Sequence, residues 1–565
     1  MSEKFLVTSA LPYVNGVKHL GNIVGSLLPA DIYARWRRMQ GHDVLCVCGT
    51  DEHGTPCELA ALAEGMPVDE YAAKYYAIQK DNYERLGLSF DYFGRTSSPQ
   101  NHRMTQHLFL RLWERGYITE RTTKQLYDAE AGRFLPDRYV IGTCPACGYE
   151  RARGDQCESC TKLLDPADLV EPRSAVSGSI NLETRESNHL FLDLPKAAPL
   201  VERWIGSKRD YWPRLTLSIA QKWLAEGLRE RCITRDLEWG IPVPLDGYRD
   251  KVFYVWFDAP IGYIGISMEW ADARGEPDAW QGYWKDPACR LVQFMAKDNV
   301  PFHTVTWPAV MMAADDGFIL ADYIKGFQWL NYERGKFSTS EGRGVFSDQA
   351  LELFPPDTWR YALCLFAPEK GDSDFTWPSF QAAVNGDLAN TLGNFVHRVL
   401  TFLGKHWGGT VPARKASEGP DRRVRQALAR ARADFDRAMA ECSFQKAVRA
   451  MRAAWQAANV YFDHQQPWHQ VKRDKDAAAA TLNLCAHLCR SFAILGSPFI
   501  PFTGRQIYAN LGLEGDPADE PWEALEDWER LAGHTVAPGP VPLFKKIEDA
   551  QVAELHQRFA GRKEG

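Results

Sequence analysis

The chain of 565 residues lacks the features that define several large protein classes. Its 13 cysteines are too few, and odd in number, for a disulfide scaffold. No segment approaches the roughly 18 consecutive apolar residues expected of a membrane helix. The N-terminal stretch carries one lysine and a short apolar run that Pro12 interrupts, which favours a buried first strand over a signal peptide. We therefore expect a cytoplasmic protein with no membrane partner.

An excess of positive charge is also missing. The chain has 66 Lys and Arg against 73 Asp and Glu, a net charge of -7, whereas a protein that simply coats nucleic acid is usually basic. The composition is otherwise that of a globular protein, with 45% hydrophobic and 25% charged residues, which excludes disordered, collagen-like and coiled-coil chains. At roughly 150 residues per domain, the length predicts three to five folding units.

The first fifty residues alternate strand and helix signals. An apolar run over residues 4–10 precedes a loop rich in Pro, Asn and Gly, a helical period covers about Leu20–Met39, and a second apolar run covers Asp43–Thr50. This order predicts a β-α-β unit and a parallel sheet, with ligands at the carboxyl ends of the strands.

The rest of the chain divides into three further regions. Residues 118–235 carry clustered cysteines and turn residues, with no long helical period before Ile219–Glu230. Strand-like apolar runs return at Lys251–Phe257 and Cys289–Phe294, and a helical pattern dominates from about 385 to 530.

Two C-x2-C pairs, Cys144/Cys147 and Cys157/Cys160, are separated by nine residues. Two thiolates held by one tight turn can bind the same ion, and two such turns supply the four soft ligands of a tetrahedral zinc site. With four cysteines and no open position, the site is expected to be structural. The other nine cysteines are scattered and read as small buried hydrophobic residues.

A phosphate-binding constellation is predicted from two distant segments. His19, Gly21 and Asn22 lie where the first helix begins, and the free N–H groups of a helix N-terminus attract anions. A loop of small residues with Lys336 and Arg343 follows some 300 residues later and can close over a phosphate. Alone, the first segment more often has a capping or packing role, and the second is equally compatible with a solvated turn.

Together these segments carry a family resemblance. Ala10–Gly16 running into His19–Asn22 resembles the first signature of class I aminoacyl-tRNA synthetases, and Lys336–Ser340 resembles the second, a mobile lysine loop. Three further stretches narrow the resemblance to the methionyl-tRNA synthetase family, and they are Gly49–Pro56, Trp256–Tyr263 and Lys297–His303. The motifs occur in order and cover about residues 4–530.

The resemblance implies an α/β fold of several units. It predicts a class I Rossmann-type parallel-sheet catalytic domain, split by a zinc-bearing insertion and followed by an α-helical anticodon-binding bundle. The expected boundaries are 1–117 and 236–325 for the two catalytic halves, 118–235 for the insertion, 326–388 for the lysine-loop and stem-contact region, 389–535 for the bundle and 536–565 for a docking tail.

The implied activity is that of a methionine–tRNA ligase, which forms methionyl-adenylate and pyrophosphate from methionine and ATP and then transfers methionyl to the 3′-terminal adenosine of tRNA(Met). No protein nucleophile is needed, so catalysis rests on positioning and on stabilising developing negative charge. By resemblance the catalytic residues are His19, Asn22, Lys336 and Asp298. ATP binding falls to His19, Gly21, Asn22, Lys297, Asp298, Lys336, Ser338 and Thr339, and Mg2+ is expected to accompany ATP.

Methionine recognition is implied for a set of mainly apolar and aromatic residues: Leu11, Tyr13, Asp51, Trp256, Ala259, Pro260, Tyr263, Phe302, His303 and Trp307. A polarizable thioether favours contact with aromatic rings, and its sulfur accepts only weak hydrogen bonds, here from Tyr263 or His303. Asp51 would pair with the α-ammonium group. Without the resemblance, the tryptophans would read as core residues.

Three positions depart from the family pattern. Thr339 stands where the loop commonly has a second lysine, and Arg343 could supply the missing charge, a hypothesis that Arg343→Ala would test. Ala296 replaces a common glycine before Lys297, and Thr306 replaces an aromatic residue of the pocket wall.

The anticodon-binding residues implied by the resemblance are Asn394, Arg398, Asp463, Pro467 and Trp468. Asn394 and Arg398 are four residues apart and share a helix face. Unstacked bases need a stacking surface and edge-directed hydrogen bonds, which Trp, Asn and Arg supply. Arg414–Arg452 has 11 Lys and Arg against 5 Asp and Glu, which fits either a solvated helix face or contacts with the tRNA backbone.

Four other functions are compatible with parts of the sequence. Synthetases for leucine, isoleucine or valine carry a large editing insertion, for which residues 118–235 are too few, and a cysteine enzyme would hold zinc in its amino-acid pocket. A catalytically silent tRNA-binding relative is kept open by Thr339, and a zinc-ribbon module alone fails on size. A monomer is expected, because no added dimerisation domain follows the helical region, with tRNA(Met), including the initiator, as partner.

Overall fold

The computed structural model describes residues 2–154, 157, 159–160, 162, 164–339, 341–413 and 419–561. Ser340 of the lysine loop and residues 414–418 of the basic stretch therefore lie outside the described residues. The strands are Lys4–Ser9, Asp43–Thr50, Tyr92–Arg95, Ile118–Asp128, Arg133–Phe134, Val140–Thr143, Ala152–Arg153, Val170–Ser174, Leu182–Leu192, Arg231–Cys232, Thr234–Arg235, Val252–Phe253, Cys289–Ala296, Tyr323–Phe327, Leu330–Tyr332 and Ser373–Phe375.

The helices alternate with these strands in the first half of the chain and dominate the second. The α-helices are Leu20–Asn22, Leu28–Met39, Thr55–Glu64, Val68–Arg85, Pro99–Glu114, Leu194–Ser207, Arg214–Ala225, Val255–Ala273, Gln281–Trp284, Trp307–Ala314, Ser347–Leu353, Pro356–Leu365, Trp377–Ala382, Asn394–Trp407, Pro420–Ala440, Phe444–Gln465, Pro467–Arg473, Lys475–Gly496, Pro501–Leu511 and Asp549–Arg558. Short 3-10 turns occupy Asp137–Tyr139, Pro166–Asp168, Pro517–Asp519 and Trp522–Glu526.

A five-stranded parallel sheet lies at the centre of the catalytic half. Its order across the sheet is Tyr323–Phe327, Cys289–Ala296, Lys4–Ser9, Asp43–Thr50 and Tyr92–Arg95. The chain leaves the middle strand in one direction and returns on its other side only after the insertion. The strand order therefore reverses beside Lys4–Ser9, and such a switch point leaves a crevice at the carboxyl ends where ligands bind.

Three helices contain π-helical segments, in which the chain carries an extra residue per turn. They are Ile23–Leu27 within the helix that follows His19, Phe302–Thr306 before Trp307, and Ala383–Gly393 before Asn394. Short π segments inside α-helices are frequent at functional sites. The first directly follows His19–Asn22, and the other two lead into Trp307 and Asn394, all of which the sequence assigns to binding.

The insertion is built on one long antiparallel pair, Ile118–Asp128 with Leu182–Leu192. A three-stranded sheet formed by Val140–Thr143, Ala152–Arg153 and Val170–Ser174 carries the cysteine turns. Two expectations for this region were wrong. The helix expected at Ile219–Glu230 spans Arg214–Ala225, and Leu194–Ser207 is a helix that was not anticipated, because Pro195 and Pro199 disguise its helical period.

The strand expected over Lys251–Phe257 is also largely wrong. Only Val252–Phe253 is extended, and a helix begins at Val255 and runs to Ala273. This helix is buried on nearly all sides, so its sequence shows no amphipathic period and a short apolar run cannot be told from a strand. The error matters because this helix carries four of the predicted methionine-binding residues.

The helix Lys475–Gly496 contradicts the expectation that no segment is long and apolar enough to cross a membrane. Its best window has a hydropathy of 1.3, and 94% of that window is buried inside the protein. The helices around it cover it on all sides, so it is a core helix of the bundle.

The catalytic half and the helical half share one hydrophobic core. At their junction Arg360, fully buried, donates to the carboxylate of Asp31 at 2.6 Å and to the carbonyl oxygens of Pro498 and Phe499, each at 2.9 Å. Asp31 lies on the continuous helix that begins at Leu20, directly after His19, so one buried ion pair joins this helix to the bundle. Losing one partner of such a pair costs about 3–5 kcal/mol.

The C-terminal segment folds back over both halves. Asn510 exchanges two hydrogen bonds with the backbone of Val541, and Asn385 does the same with Ile547. Farther on, the carbonyl of Phe559 accepts a hydrogen bond from the Gly344 amide at 3.1 Å, next to the lysine loop.

Candidate functional site

His19 is positioned by the loop between the first strand and the first helix. It precedes helix residue Leu20, and its ring stacks on Phe337 with the centroids 4.5 Å apart and the planes 10° apart. Burial, followed by the charge of Lys18, lowers the pKa of His19 to about 3, so the ring is neutral at physiological pH. Its Nδ1 atom is buried without a hydrogen-bond partner in the described structure, which leaves it available to a ligand.

Gly21 is required by this stacking. A Cβ atom at Gly21 would lie 3.0 Å from Cε1 and Nδ1 of His19 and 3.4 Å from the ring of Phe337. A side chain at this position would require the His19 ring to shift by a few tenths of an ångström. Asn22 follows, and its amide N–H donates to the carbonyl of His19 at 3.0 Å while its side chain is exposed.

The lysine loop is a hairpin whose base is fixed and whose cation is exposed. Ser338 and Arg343 exchange two backbone hydrogen bonds of 3.1 and 2.9 Å, and Gly342 donates to the carbonyl of Thr339 at 3.3 Å. Lys336 and Thr339 are both exposed. Phe337, between them and His19, brings the loop against the phosphate-site helix.

Arg343 is occupied at the base of this hairpin. Its Nη2 atom donates to the carbonyl oxygens of Tyr332 at 3.1 Å and Glu333 at 3.3 Å. A Cβ atom on Gly335 would approach Nη2 to 2.6 Å, and one on Gly561 would approach the Arg343 Cβ to 2.9 Å. The guanidinium can replace the missing second lysine only by leaving these contacts, so the structure gives that hypothesis no support.

Lys297 and Asp298 follow the strand Cys289–Ala296 at the other side of the switch point. Lys297 Nζ donates to Gln328 Oε1 at 2.8 Å and to Asp372 Oδ1 at 2.9 Å, and it lies 4.0 Å from the ring centroid of Trp329. Burial raises the pKa of Asp298, and the neighbouring Trp329 side chain partly offsets this rise.

Asp51 ends the second strand and lies beside Tyr13. The two residues form a parallel bridge, in which Val14 donates to the Asp51 carbonyl and Asp51 donates to the Pro12 carbonyl, each at 2.9 Å. Burial, followed by the charges of Asp258 and Glu52, raises the pKa of Asp51 well above its usual range. Its Oδ1 atom is buried and unpartnered in the described structure, as expected for an acceptor that awaits a cationic ligand.

Asp258 ties the pocket helix to this strand end. Its Oδ2 lies 2.7 Å from Nδ1 of His53, both side chains are buried, and its second oxygen is also unpartnered among the described residues. Sequence analysis missed this pair. The motif stretches contain both residues, but nothing in their spacing shows that they meet.

Tyr263 and His303 form the polar element of the predicted methionine pocket. His303 Nδ1 lies 2.9 Å from the Asn299 carbonyl, which can only accept, so Nδ1 carries the proton and Nε2 accepts from the Tyr263 hydroxyl at 2.9 Å. Burial lowers the pKa of His303 to about 4. Trp307 packs 5.6 Å from the Tyr263 ring, and its Nε1 is buried and unpartnered within the described structure.

The aromatic wall completes the pocket. Trp256 stacks on Phe302 with centroids 3.9 Å apart, and Tyr13 meets Trp256 edge-on at 6.1 Å. Ala259 and Pro260 are buried on the same helix as Trp256, and Leu11 is half-buried, 3.2 Å from where a Cβ on Gly262 would lie. Thr306 is half-buried at the end of the π segment before Trp307.

The predicted anticodon residues meet on the helical half. Arg398 Nη2 donates to Asp463 Oδ1 at 2.7 Å, and its guanidinium lies 5.6 Å from the ring of Trp468. Asn394 is exposed one helical turn before Arg398, and Pro467 is buried at the start of its helix. The described part of the basic stretch forms Pro420–Ala440 and the first half of Phe444–Gln465, and most of its cations are exposed or half-buried.

The four predicted cysteine ligands converge on one point. Their Sγ atoms all lie within 4.8 Å of one another, with Cys144 and Cys160 separated by 3.8 Å and Cys147 and Cys157 by 3.6 Å. Zn–S bonds of about 2.3 Å in a tetrahedron place the sulfurs about 3.8 Å apart. Gly148, at φ 75°, allows the tight turn after the first pair. This cluster can hold a metal ion.

Two family descriptions match the chain in succession. "tRNA synthetases class I (M)" matches residues 5–400, and "Anticodon binding domain of methionyl tRNA ligase" matches residues 411–564. The methionine–tRNA ligase of Streptomyces avermitilis is 49% identical over 575 residues, covering 99% of this chain and 100% of the relative. That of Cereibacter sphaeroides is 50% identical over 571 residues, covering 99% of both. The chain belongs to the methionyl-tRNA synthetase family.

A solved methionyl-tRNA synthetase agrees with this membership. The Mycobacterium tuberculosis enzyme bound by methionyl-adenylate superposes with a TM-score of 0.78 at 25% identity, covering 96% of this chain and 100% of that chain. The predicted fold is confirmed, and methionine–tRNA ligase is the activity of this chain. The branched-chain, cysteine and zinc-ribbon alternatives are wrong.

Sequence analysis missed one residue of the site, Trp329. Trp329 is exposed by 41%, although the other tryptophans of the described chain are buried or half-buried. Its ring centroid lies 4.0 Å from Lys297 Nζ and 5.7 Å from Lys336 Nζ, and its side chain lies beside Asp298. The signal was available, since a tryptophan two residues past the strand Tyr323–Phe327 lies at the ligand edge of the sheet.

Proposed function

We propose that adenylation takes place in the crevice at the switch point, between His19 and Lys336 on one side and Asp51 and Tyr263 on the other. The substrate carboxylate attacks the α-phosphorus of Mg2+-bound ATP, a P–O bond forms, and pyrophosphate leaves with the electron pair of the broken bond. Neutral His19, with Asn22, donates to phosphate oxygens, and Lys336 supplies a mobile positive charge. The phosphates of ATP would themselves bind Mg2+, and the ion would partly neutralise their negative charge.

The orphaned Nδ1 of His19 is the observation that carries this assignment. A ring whose pKa is lowered to about 3 stays neutral, so one nitrogen carries a proton that a phosphate oxygen can accept. Asp298 would accept from the ribose hydroxyls, and Lys297, Ser338 and Thr339 would complete the ATP contacts. Gly21 keeps the ring of His19 in place.

Methionine would lie with its α-ammonium on Asp51 and its thioether against Tyr263 and His303. The unpartnered Oδ1 of Asp51 is the expected acceptor for the ammonium. The Tyr263 hydroxyl already donates to His303, so it faces the sulfur mainly as a polarizable aromatic ring. Leu11, Tyr13, Trp256, Ala259, Pro260, Phe302 and Trp307 would form the apolar walls.

Binding of tRNA(Met), including the initiator, would use the anticodon face of the bundle. Trp468, supported by Arg398, offers a stacking surface, and Asn394 offers edge-directed hydrogen bonds. Asp463 would have to release or share Arg398 when bases arrive. Pro467 sets the start of the helix that carries Trp468.

The metal of the cysteine cluster would be one structural Zn2+ ion. Four thiolate ligands with matching separations fit zinc, leave no open coordination position and support a fold that has only a small core of its own. We expect about one zinc per chain by metal analysis of the purified protein. A Cys144→Ser variant that loses the ion and keeps an unchanged fold would contradict the structural role.

The finer divisions of the chain stay predictions. We propose the boundaries 1–117, 118–235, 236–325, 326–388, 389–535 and 536–565 for the units named above, a cytoplasmic location and a monomeric state. Limited proteolysis tests the boundaries, and sedimentation equilibrium tests the monomer.

The decisive experiment is ATP–pyrophosphate exchange with a panel of amino acids. Methionine alone should drive exchange, and transfer to tRNA(Met) should follow. An exchange driven equally by a branched amino acid would overturn the assignment of the pocket, and a His19→Asn variant with the full rate would overturn the phosphate role of His19.

A further inference from the structure

Trp329, the exposed tryptophan at the edge of the crevice, lies beside the charged residues that are assigned to ATP on that side, Lys297, Asp298 and Lys336. A large apolar ring in water is unfavourable, because burying a tryptophan side chain removes a substantial apolar area from solvent. Trp329 is nevertheless exposed by 41% and is surrounded by charged partners. Contacts with these charged partners, and not packing in the hydrophobic core, hold the Trp329 side chain in this position.

The backbone of Trp329 is fixed first. Its amide donates to Asp372 Oδ1 at 2.9 Å, and its carbonyl accepts from the Ser373 amide at 3.0 Å. Asp372 Oδ1 also accepts from Lys297 Nζ at 2.9 Å. One carboxylate therefore sets the tryptophan and the lysine relative to each other.

The ring of Trp329 then holds the lysines. Lys297 Nζ lies 4.0 Å from the ring centroid, well inside the range of a cation–π contact, and Lys336 Nζ lies 5.7 Å away, at its outer limit. The same side chain lies beside Asp298, where it partly offsets the rise that burial causes in the pKa of that carboxyl. Three residues from two separate segments of the chain meet at one side chain.

We propose that Trp329 is a positioning residue of the ATP site. It holds Lys297 and Asp298 in the arrangement that ATP needs, and it gives Lys336 a resting place while the phosphates are absent. A cation–π contact at an exposed site is weaker than a charge-assisted hydrogen bond to phosphate, so ATP can take Lys336 from the ring. This inference rests on the proposed assignment of Lys297, Asp298 and Lys336 to ATP.

The test compares Trp329→Leu with Trp329→Phe. Leucine removes the ring and the N–H group, whereas phenylalanine keeps a ring face for the lysines and loses only the N–H group. Trp270→Leu is the matched control, because Trp270 also carries a cation, Arg274 at 5.2 Å, but lies outside the crevice residues. ATP KM, methionine KM and kcat are measured by exchange, ATP affinity by calorimetry, and Tm by calorimetric unfolding.

We expect Trp329→Leu to raise the KM and the Kd for ATP about tenfold, the size of one lost hydrogen bond to a charged group. The methionine KM and the Tm should stay near those of the parent protein. Trp329→Phe should fall between the parent and Trp329→Leu, and Trp270→Leu should match the parent.

Two results would overturn the inference. An unchanged ATP KM in Trp329→Leu would remove any positioning role, and a parallel rise of both KM values with a lowered Tm would show a merely structural one. A parent protein that gives no methionine-dependent exchange would instead defeat the proposed function, so the two failures are distinguishable.

Discussion

The two sides of the crevice are built on opposite principles. The proposed methionine side is buried, and His303 is fixed by hydrogen bonds to both Asn299 and Tyr263 before any ligand arrives. The phosphate side is open, with Lys336 exposed at the edge of a hairpin and only the base of that hairpin fixed. A rigid pocket selects a side chain by shape, whereas a mobile cation can follow charge as it develops. We therefore expect variants of the buried side to change the affinity for methionine, and variants of the open side to change the rate of adenylation.

The largest effect should come from the open side. Lys336→Ala removes the mobile cation and should lower the adenylation rate constant about 10²–10³-fold, the size typical for one group that stabilises transition-state charge. Single-turnover kinetics measure it. Arg334→Ala, two residues upstream in the same turn, is the control. If both variants lost activity equally, Lys336 would have no special role.

The buried side should respond in affinity. Asp51→Asn leaves the α-ammonium of methionine without its charged partner and should raise the methionine KM about a hundredfold, as when one member of a buried charge pair is lost. The ATP KM should change little. Asp357→Asn, a buried acid at the junction of the two halves, controls for general destabilisation. An ATP KM that rose in step with the methionine KM would break the separation between the two sides.

A smaller effect is expected within the rigid pair. Tyr263→Phe leaves Nε2 of His303 without a donor and should raise the methionine KM by about threefold to tenfold, since an unpaired buried acceptor costs roughly 1 kcal/mol. The variant should also discriminate less well between methionine and norleucine, because His303 keeps its contact with the Asn299 carbonyl but loses the one with the Tyr263 hydroxyl. Exchange with both amino acids measures this, and an unaltered ratio would count against the pair.

The smallest effect concerns the dependence of folding stability on pH. The pKa of His303 is lowered from 6.5 to about 4, so between these values the unfolded chain binds a proton that the folded protein does not. Unfolding is then favoured by acid, and stability should fall as pH decreases from 6.5 to 4 and should be independent of this group above 6.5. His303→Gln should reduce the slope of stability against pH in denaturant melts. An identical slope would assign the acid sensitivity to other groups, His19 among them.

The sequence predicted this site unevenly. The strand–loop–helix start could be read because Lys4–Ser9 and Asp43–Thr50 are short apolar runs on either side of one helical period, and the C-x2-C turns could be read because their spacing is fixed by the metal. The helix Val255–Ala273 could not, since burial on every side removes the period that distinguishes helix from strand.

The sequence also could not predict contacts between distant segments of the chain. His53 and Asp258 lie 205 residues apart, and Trp329 joins Lys297 to Lys336 only after the sheet brings their strand ends together. The net charge of -7 suggested no nucleic-acid partner, and it misled because a sum over the chain hides an exposed basic stretch.

The π-helical segments at Ile23–Leu27, Phe302–Thr306 and Ala383–Gly393 have a consequence for how this chain can change length. A π turn holds an extra residue that a regular α-helix lacks, so a one-residue deletion inside such a segment can be taken up locally by a return to regular α-helix. A one-residue deletion in the regular part of the same helix would instead rotate everything beyond it by about 100°, because an α-helix has about 3.6 residues per turn. In these three helices we therefore expect tolerance of changed length to be confined to the π segments.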